Sequence, residues 1–363
     1  MSVLLCFAAA LVFLYVILYY VVFRGTGFSN SVRLDGKTAI VTGSNTGTGK
    51  ATALDLAKRG ARVILACHNR EKSEAAAFDI RRESGNNQVV FMQLNLASLK
   101  SVSNFAETFM NTEPRLDILI NNAGVLGPGH TEDGFGLAFG VNHLGHFLLT
   151  NLLLERMQQS GPSRVVTVAA RLHCIGNIDF PHLASKKDLV SGQSVWHNLQ
   201  AYCNSKLCNV LFTRQLANRL DGTSVTCYSL HPGVVYTKIG RSTSWWLQLL
   251  FTLFAKLFFI DPERGSHTIL YCSLQEGIEP LSGRYFSDCA LQEVGAKARD
   301  DALAKKLWEG SDIEGGACDI GFIIHCIKSL VKTMYDCICV LYLSFPFSFL
   351  LFKKNKKFYF SIH

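Results

Sequence analysis

The sequence lacks several patterns that define common classes of protein. Its twelve cysteines are scattered without a C-x-x-C pair, and this spacing favours reduced, buried thiols over a disulfide framework or a zinc site. An N-x-S/T sequon is also absent, which agrees with a domain that lies in the cytosol. We therefore expect no bound metal, and we interpret His143 and His146 as structural histidines rather than ligands.

Positive charge is in excess, but it is unevenly distributed. The chain has 36 basic and 28 acidic residues, for a net charge of +8, and residues 319–363 alone carry six lysines against two acids. Charge concentrated in the last residues is weak evidence for a nucleic-acid surface on the rest of the chain. We therefore expect no nucleic-acid partner.

An uncharged apolar run, LLCFAAALVFLYVILYYVVF, occupies residues 4–23 and is about long enough to span a bilayer. It has neither a basic segment before it nor a small-residue cleavage site after it, so it favours an uncleaved anchor at residues 1–23 over a signal peptide. Arg24, Arg33 and Lys37 follow the run and no basic residue precedes it. The positive-inside rule then predicts that the main domain faces the cytosol.

Short β-branched runs alternate with longer amphipathic segments between about residues 38 and 290. The runs are apolar on both faces, as in TAIVTG and ARVILAC, which is typical of a covered parallel sheet. The alternation predicts an α/β fold, a Rossmann-type doubly wound parallel sheet forming a single domain. Length and a hydrophobic content of 48% agree with one large domain plus appendages.

Two further apolar stretches interrupt this alternation. WWLQLLFTLFAKLFFI at 245–260 predicts a buried helix or a substrate lid, with a helix that dips into the membrane as the alternative. The lysine-tipped tail at 316–363 contains a run that is short for a span and includes Pro346. This tail either lies in the membrane interface, or is a disordered or atypical terminus, or comes from an irregular gene model.

A glycine-rich turn, VTGSNTGTGKAT, follows the first predicted strand. Between a strand and a helix, such a turn lets backbone N–H groups meet a pyrophosphate without obstruction by side chains. Gly43 allows the turn, Gly47 allows close approach and Gly49 lets the helix pack on the strand. A mononucleotide phosphate loop is disfavoured, because it would need Gly at Ser44 and Ser or Thr at Ala51.

The second predicted strand ends in ILACHNREK, without the carboxylate that would hold a ribose 2′-hydroxyl. His68, Asn69, Arg70 and Lys72 stand there instead, so a 2′-phosphate is tolerated and the basic side chains attract it. This pattern favours NADP(H), with a solvated helix start as the alternative. The fourth strand ends in NNAG, at the edge where open α/β sheets bind ligands.

Tyr202 and Lys206 lie four residues apart in YCNSK and would share one helix face. A phenol is a poor acid–base group at neutral pH, but a lysine charge about 4 Å away would lower its pKa by roughly three units. Such a pair can deliver or remove a hydroxyl proton while hydride moves to or from a nicotinamide.

These motifs in this order resemble the short-chain dehydrogenase/reductase superfamily. The resemblance covers about residues 36–310 and includes TGxxxGxG at 42–49, NNAG at 121–124, the Tyr–Lys pair and HPGVVYT at 231–237. VNHLGHFLLTNLLL and LSGRYFSDC are similar to its retinol-dehydrogenase branch, and AAAFDIRRESGNNQVVFM is similar to one member of that branch.

The resemblance implies a role for each matching residue. Tyr202 would be the general acid/base, Lys206 its electrostatic partner and ribose ligand, and Asn142 the holder of a water in a proton relay. Asn95 stands where the family often has an aspartate near the adenine. The implied cofactor-binding residues also include Gly43, Asn45, Thr46, Gly47, Thr48, Gly49, His68, Asn69, Asn122, Ala123, Gly124, Pro232, Gly233, Val235 and Thr237.

One family feature is missing at the end of the fifth predicted strand. The family expects a serine there that donates a hydrogen bond to the substrate oxygen, but this chain has Ala169 and Ala170. Thr167 is no substitute, because it points to the other face and lies about 10 Å back along the strand. Removing one such donor commonly costs about 10² to 10³ in rate.

Together the motifs and the resemblance imply a membrane-anchored, NADP(H)-dependent oxidoreductase at the endoplasmic reticulum. Its substrate would be an apolar alcohol and the corresponding aldehyde or ketone, with retinol and retinal first, and steroids or lipid aldehydes next. An oligomer is compatible with the sequence. The alternative, motivated by Ala170, is a weakly active or inactive NADP(H)-binding membrane protein.

Overall fold

The structure is a computed structural model that describes residue 13 and residues 27–192, 194–233 and 261–314. The predicted anchor, apart from Phe13, the 245–260 stretch and the tail lie outside these ranges. The chain separates into two units, Met1–Gly316 and Ala317–His363, and everything described belongs to the first.

Eight strands form one sheet in the order β3-β2-β1-β4-β5-β6-β7-β8. Every neighbouring pair is parallel except β7 and β8, which are antiparallel. The strands are β1 (Thr38–Thr42), β2 (Arg62–Cys67), β3 (Val89–Gln93), β4 (Ile118–Asn121), β5 (Ser163–Val168), β6 (Val225–His231), β7 (Tyr285–Ser287) and β8 (Ala290–Gln292). The predicted doubly wound parallel sheet is confirmed, and the short β7–β8 hairpin was not expected.

Helices connect the strands and cover both faces of the sheet. They are α1 (Gly47–Lys58), α2 (Arg70–Ser84), α3 (Leu99–Thr112), α4 (Gly145–Gln159), α5 (Phe180–Lys186), α6 (Val195–Arg219), α7 (Pro262–Leu274) and α8 (Asp301–Glu314). A π-helical turn, Gly140–Leu144, leads into α4, and a 3₁₀ turn, Arg171–Ile175, follows β5.

The core has one layer on each face of the sheet. Val41, Val166 and Val168 face α1, α2 and α7, because alternate residues of a strand point to opposite sides. Ala169 faces the other way and packs with α6, which also contacts α8. Buried on both faces, the strands are apolar throughout, as the continuous β-branched runs predict.

One described helix, Leu137–Gln159, has the length and composition to cross a membrane. Of its apolar window, 78% is buried inside the domain, so its hydropathy is accounted for by packing in the core. Cys67, Cys203, Cys208, Cys227 and Cys272 are likewise buried free thiols, as the scattered cysteine pattern predicts.

Candidate functional site

The glycine turn between β1 and α1 has the conformation that its sequence predicts. Gly43 and Gly47 have φ values of 65° and 59°, in the left-handed region that favours glycine. A Cβ on Gly49 would lie 2.6 Å from the Asn122 Nδ2 and 2.7 Å from the Gly43 carbonyl oxygen, whereas a Cβ on Gly47 would meet nothing within 4 Å. Gly49 therefore allows close packing, and Gly47 leaves open space beside the turn.

The start of α1 fits an anionic group. Thr46 is the N-cap residue but makes no side-chain cap hydrogen bond, and the first turn contains no acidic residue. The first N–H groups of a helix have no partner within the helix, and together with the helix dipole they attract a negative charge. A pyrophosphate would therefore find donors and no competing carboxylate here.

A cleft of about 770 Å³ opens at the carboxyl ends of the central strands. Twelve of the predicted cofactor-binding residues line it: Gly43, Asn45, Thr46, Gly47, Thr48, Gly49, His68, Asn69, Asn95, Asn122, Ala123 and Gly124. Further lining residues, which sequence reasoning did not find, are Ala66, Cys67, Leu96, Ala97, Val125, Leu137, Val141 and Pro262. Most of these are apolar and carry no recognisable motif.

Thr42 holds the NNAG segment in place, although no sequence motif singles it out for this role. Its Oγ1 accepts hydrogen bonds from the backbone N–H groups of Asn122 and Ala123, both at 2.9 Å. His146 Nε2 lies 2.9 Å from the same oxygen, and His146 Nδ1 lies 3.1 Å from the Asn142 carbonyl oxygen. Because that carbonyl can only accept, Nδ1 carries the proton and Nε2 accepts from Thr42.

Burial keeps this histidine neutral. His146 is 1% exposed, and desolvation lowers its pKa to about 4. His146 therefore accepts from Thr42 throughout the neutral range. The interpretation of His146 as a structural histidine agrees with these contacts, and no metal-binding cluster occurs among the described residues.

The predicted catalytic residues lie near the NNAG segment, although none of them lines the cleft itself. Lys206 is buried on α6, and its Nζ lies 5.5 Å from the ring centroid of Tyr202. A Cβ on Gly124 would be 3.4 Å from that Nζ and 3.6 Å from the Asn142 Oδ1. Gly124 thus brings the NNAG segment close to Lys206 and Asn142, since a larger side chain would crowd both of them.

Both polar atoms of the Asn142 side-chain amide make hydrogen bonds within the protein, and Oδ1 keeps one lone pair for a further donor. Its Oδ1 accepts from the Val125 N–H at 2.7 Å, and its Nδ2 donates to the Val125 carbonyl and to Ser205 Oγ, both at 3.0 Å. Ser205 Oγ in turn donates to the Tyr202 carbonyl at 2.7 Å. Asn142 therefore ties the loop after β4 to the helix that carries Tyr202.

The pKa of Tyr202 departs from the sequence-based expectation. Burial raises it to about 12 instead of the neighbouring lysine lowering it. Lys206 lies over the face of the ring, and its Nζ donates to the Val168 carbonyl at 2.9 Å. Burial also lowers the pKa of Lys206 to about 8, so desolvation outweighs the attraction between the pair.

Ala170 lies directly after β5 in an extended conformation and is 8% exposed. Four buried polar atoms on β5, on the turn after it, on β6 and on β7 have no hydrogen-bond partner among the described residues: Thr167 Oγ1, His173 Nε2, His231 Nδ1 and Tyr285 OH. His173 Nδ1 bonds the Ala170 carbonyl at 2.8 Å, and its ring packs 4.7 Å from Tyr285. The Nδ1 of His173 therefore faces the backbone of Ala170, and the imidazole ring packs against Tyr285 on β7.

The end of β2 serves both of the alternatives considered for it. Asn69 is the N-cap of α2, with its side chain accepting from the Lys72 N–H at 2.9 Å. Asn69 also lines the cleft together with His68, while Arg70 is exposed and pairs with Glu74 at 3.6 Å. The segment is a solvated helix start and a wall of the cleft at once.

The remaining predicted residues lie after β6. Gly233 has a φ of 90°, which only glycine adopts readily, and Pro232 precedes it at the strand end. Neither lines the cleft of the described residues. Val235 and Thr237 lie outside the described ranges.

The glycine turn, the NNAG segment and the Tyr–Lys helix on a parallel sheet define a nicotinamide-dependent oxidoreductase of the short-chain class. Residues 37–248 match the family described as short chain dehydrogenase. The chain therefore belongs to the short-chain dehydrogenase family, whose fold binds a nicotinamide dinucleotide. The resemblance predicted from the motifs is confirmed.

Curated relatives narrow the family to its retinol-dehydrogenase branch. The chain is 53% identical over 298 residues to dehydrogenase/reductase SDR family member 13 from Bos taurus, covering 82% of this chain and 78% of that protein. It is 50% identical over 291 residues to retinol dehydrogenase 12 from Homo sapiens, with coverages of 80% and 89%. The chain is an oxidoreductase of this family that is related to the retinol dehydrogenases.

Solved structures agree on the fold. A protein from Mycobacterium paratuberculosis is 31% identical with a TM-score of 0.63, covering 80% of this chain and 98% of that one. A protein from Beutenbergia cavernae, crystallised with bound NADP at low occupancy, is 24% identical with a TM-score of 0.55 and coverages of 71% and 97%.

Proposed function

We propose that this chain is a membrane-anchored, NADP(H)-dependent oxidoreductase that interconverts an apolar alcohol and its aldehyde or ketone, with retinol and retinal as the first pair. The observation that carries the proposal is that Tyr202 and Lys206 lie together on α6, with Lys206 and Asn142 next to Gly124, which lines the same cleft as the glycine turn. Proton-transfer groups therefore border the cleft that contains the phosphate-binding turn.

Each residue of the trio has a separate task. NADPH, when bound, supplies the hydride. Tyr202 exchanges a proton between its hydroxyl and the substrate oxygen. Lys206 binds the ribose and places a positive charge beside the phenol, and Asn142 fixes the loop after β4 and holds a water that relays the proton.

The pKa values favour a protonated tyrosine at rest. A pKa of about 12 for Tyr202 keeps the hydroxyl ready to donate, which suits reduction of a carbonyl. A pKa of about 8 for Lys206 leaves this amine mostly charged at neutral pH. The pair is therefore set to protonate an alkoxide as it forms.

The preference for NADP(H) rests on the end of β2. This strand end carries His68 and Asn69 on the cleft wall and no carboxylate. An acidic side chain here would accept from a ribose 2′-hydroxyl and repel a 2′-phosphate. The exposed Arg70 and Lys72 add positive charge beside the same edge.

An apolar substrate is supported by the surface beside Tyr202. Four large apolar side chains are exposed there, with Val195 and Trp196 at 87% and 67% and Leu172 and Ile175 at 41% and 52%. They lie on the 3₁₀ turn after β5 and on the first turn of α6. Where such side chains form one patch, they mark a binding surface for apolar molecules. The retinol dehydrogenases among the relatives have substrates of this class.

The proposed location follows from the ends of the chain. Residues 1–23 would anchor the protein in the endoplasmic reticulum membrane, with a catalytic domain at 36–310, extended by α8 to Glu314, facing the cytosol. Anchoring would bring the exposed apolar side chains near Tyr202 close to a substrate dissolved in lipid.

A second candidate is a protein that binds NADP(H) with little or no turnover. Ala170 favours it, because no hydroxyl stands where a substrate oxygen would be held, and His173 uses its Nδ1 on the backbone instead. The absence of a hydroxyl at Ala170 would leave the cofactor cleft unchanged, because Ala170 does not line it. The two candidates therefore predict the same cofactor binding and different turnover.

Purified full-length protein in detergent should oxidise NADPH when given all-trans-retinal. Tyr202→Phe should abolish turnover and retain NADPH binding, while Tyr271→Phe, on α7, should retain both, because Tyr271 keeps its ring contacts with Phe28 and Phe286. Equal turnover by Tyr202→Phe would remove this tyrosine from the mechanism. Binding of NADPH without turnover on any retinoid, steroid or lipid aldehyde would select the second candidate.

A further inference from the structure

Asn95, on the cleft wall beyond β3, has both polar atoms of its side chain engaged. Its Oδ1 accepts from the Ala97 N–H at 3.0 Å, which closes a turn, and its Nδ2 donates to Glu132 Oε1 at 3.0 Å. The Asn95 amide therefore connects the edge of the cleft, by a hydrogen bond, to a carboxylate that lies 37 residues further along the chain. Sequence alone gave no reason to connect the two.

The backbone around Glu132 is tied to the start of α3. Its N–H donates to the Ala97 carbonyl at 2.9 Å, and the adjacent Asp133 accepts from the Leu99 N–H through Oδ2 at 2.9 Å. Glu132 is thus held by its backbone N–H and by the Oε1 of its carboxylate. Among the described residues, no hydrogen bond reaches its second oxygen, Oε2.

Glu132 is exposed and does not itself line the cleft, but its carboxylate lies one hydrogen bond from Asn95, which does. The glycine turn occupies the middle of the cleft and Lys206 lies beyond Gly124, so the walls formed by the ends of β2 and β3 are left for the adenine. Adenine carries an exocyclic amine, and a carboxylate oxygen is its natural acceptor. A hydrogen bond with a charged partner is stronger than one between neutral groups.

We propose that Glu132 Oε2 accepts a hydrogen bond from the exocyclic amine of the bound adenine, with Asn95 as the positioning residue that orients the carboxylate. This inference rests on the proposed NADP(H) function and assigns the recognition of the base to a residue outside the family motifs. Glu132 thereby becomes a specificity residue for the adenine end of the cofactor.

A modified cofactor tests this without any mutation. Nicotinamide hypoxanthine dinucleotide phosphate carries a carbonyl oxygen where the adenine amine stands, so it would turn an acceptor toward Glu132. We expect the full-length protein to bind reduced NADP about tenfold more tightly than the reduced hypoxanthine analogue, as measured by nucleotide fluorescence. Equal affinities would overturn the proposal.

Variants then assign the preference to one residue. Glu132→Gln should bring the affinity ratio close to one, because an amide accepts from the amine or donates to the carbonyl equally well. Asn95→Ala should lower the ratio and raise the KM for NADPH, since it frees the carboxylate without removing it. Glu107→Gln is the matched control, an exposed position on α3, and should keep the ratio.

The outcomes separate this inference from the proposed function. A ratio that survives in Glu132→Gln would overturn it and point to Asn95 Oδ1 as the acceptor. Turnover with retinal and equal binding of both dinucleotides would overturn this inference alone. A protein that binds neither dinucleotide would overturn the proposed function and this inference with it.

Discussion

Lys206 Nζ donates a 2.9 Å hydrogen bond to the carbonyl oxygen of Val168, the last residue of β5. Asn209 Nδ2 reaches the same oxygen at 3.4 Å, so α6 is tied to the strand end by two side chains. Ala170 follows two residues later. The position of the lysine therefore depends on the backbone of β5, and a small change of side chain at Ala170 leaves it in place.

Ala170→Ser should raise turnover of NADPH with retinal by about 10²-fold, because it restores one hydroxyl donor to the end of β5. The affinity for NADPH should stay the same, since Ala170 does not line the cofactor cleft. Steady-state kinetics and nucleotide fluorescence measure the two quantities separately.

Ala169→Ser is the matched control for this gain. Ala169 is the adjacent residue, but it packs against α6 in the core and is 2% exposed, so a hydroxyl there should bring no increase in turnover. An equal gain in both variants would show that the effect has another origin. No gain in Ala170→Ser would mean that the missing donor does not limit the rate.

Asn69→Asp should weaken NADPH binding by roughly 10- to 100-fold and leave NADH binding equal or tighter. Aspartate keeps the N-cap acceptor that the Lys72 N–H uses, but it adds a negative charge where the 2′-phosphate would lie. Dissociation constants for both nucleotides measure the change.

The exposed Asn87 supplies the control for that charge. Asn87→Asp makes the same change of side chain away from the cofactor cleft and should leave both affinities as they are. A parallel loss of NADPH and NADH binding in Asn69→Asp would argue against a 2′-phosphate site at the end of β2.

Thr42→Val should lower the free energy of unfolding by about 2–4 kcal/mol, because it leaves the Ala123 N–H and the Nε2 of His146 without their partner. The Asn122 N–H would keep only its bond to the Ile120 carbonyl. NADPH should also bind more weakly as the NNAG segment loosens. Thr108→Val, on the exposed side of α3, should change stability by less than about 0.5 kcal/mol. Similar losses in both variants would mean that the Thr42 network contributes little.

The sequence was sufficient for the fold and for the outline of the cleft. Glycine turns and parallel strands are local or periodic features, so the order of the motifs placed Gly43 to Gly49 and Asn122 to Gly124 on one edge of the sheet. Family membership then followed from motif order, which chance seldom reproduces.

Contacts between segments that are distant in the sequence could not be predicted from the sequence alone. The bond from Thr42 to His146 and the bond from Asn95 to Glu132 join residues that share no motif. The pKa of Tyr202 was misjudged for a related reason, since spacing along a helix gives the distance to Lys206 but not the burial that desolvates both groups. Desolvation depends on everything packed around a side chain.

Acid should destabilise the fold through its buried histidines. Burial lowers the pKa of His143 to about 3 and that of His146 to about 4, from 6.5. Between pH 6.5 and about 4 the unfolded chain therefore binds protons that the folded chain does not. The free energy of unfolding should fall by about 1.4 kcal/mol per pH unit for each of these residues as the pH is lowered. His143→Gln should reduce that slope by one histidine's share in denaturant titrations, whereas His130→Gln, at an exposed position, should keep it. An unchanged slope in His143→Gln would mean that His143 takes up its proton without unfolding.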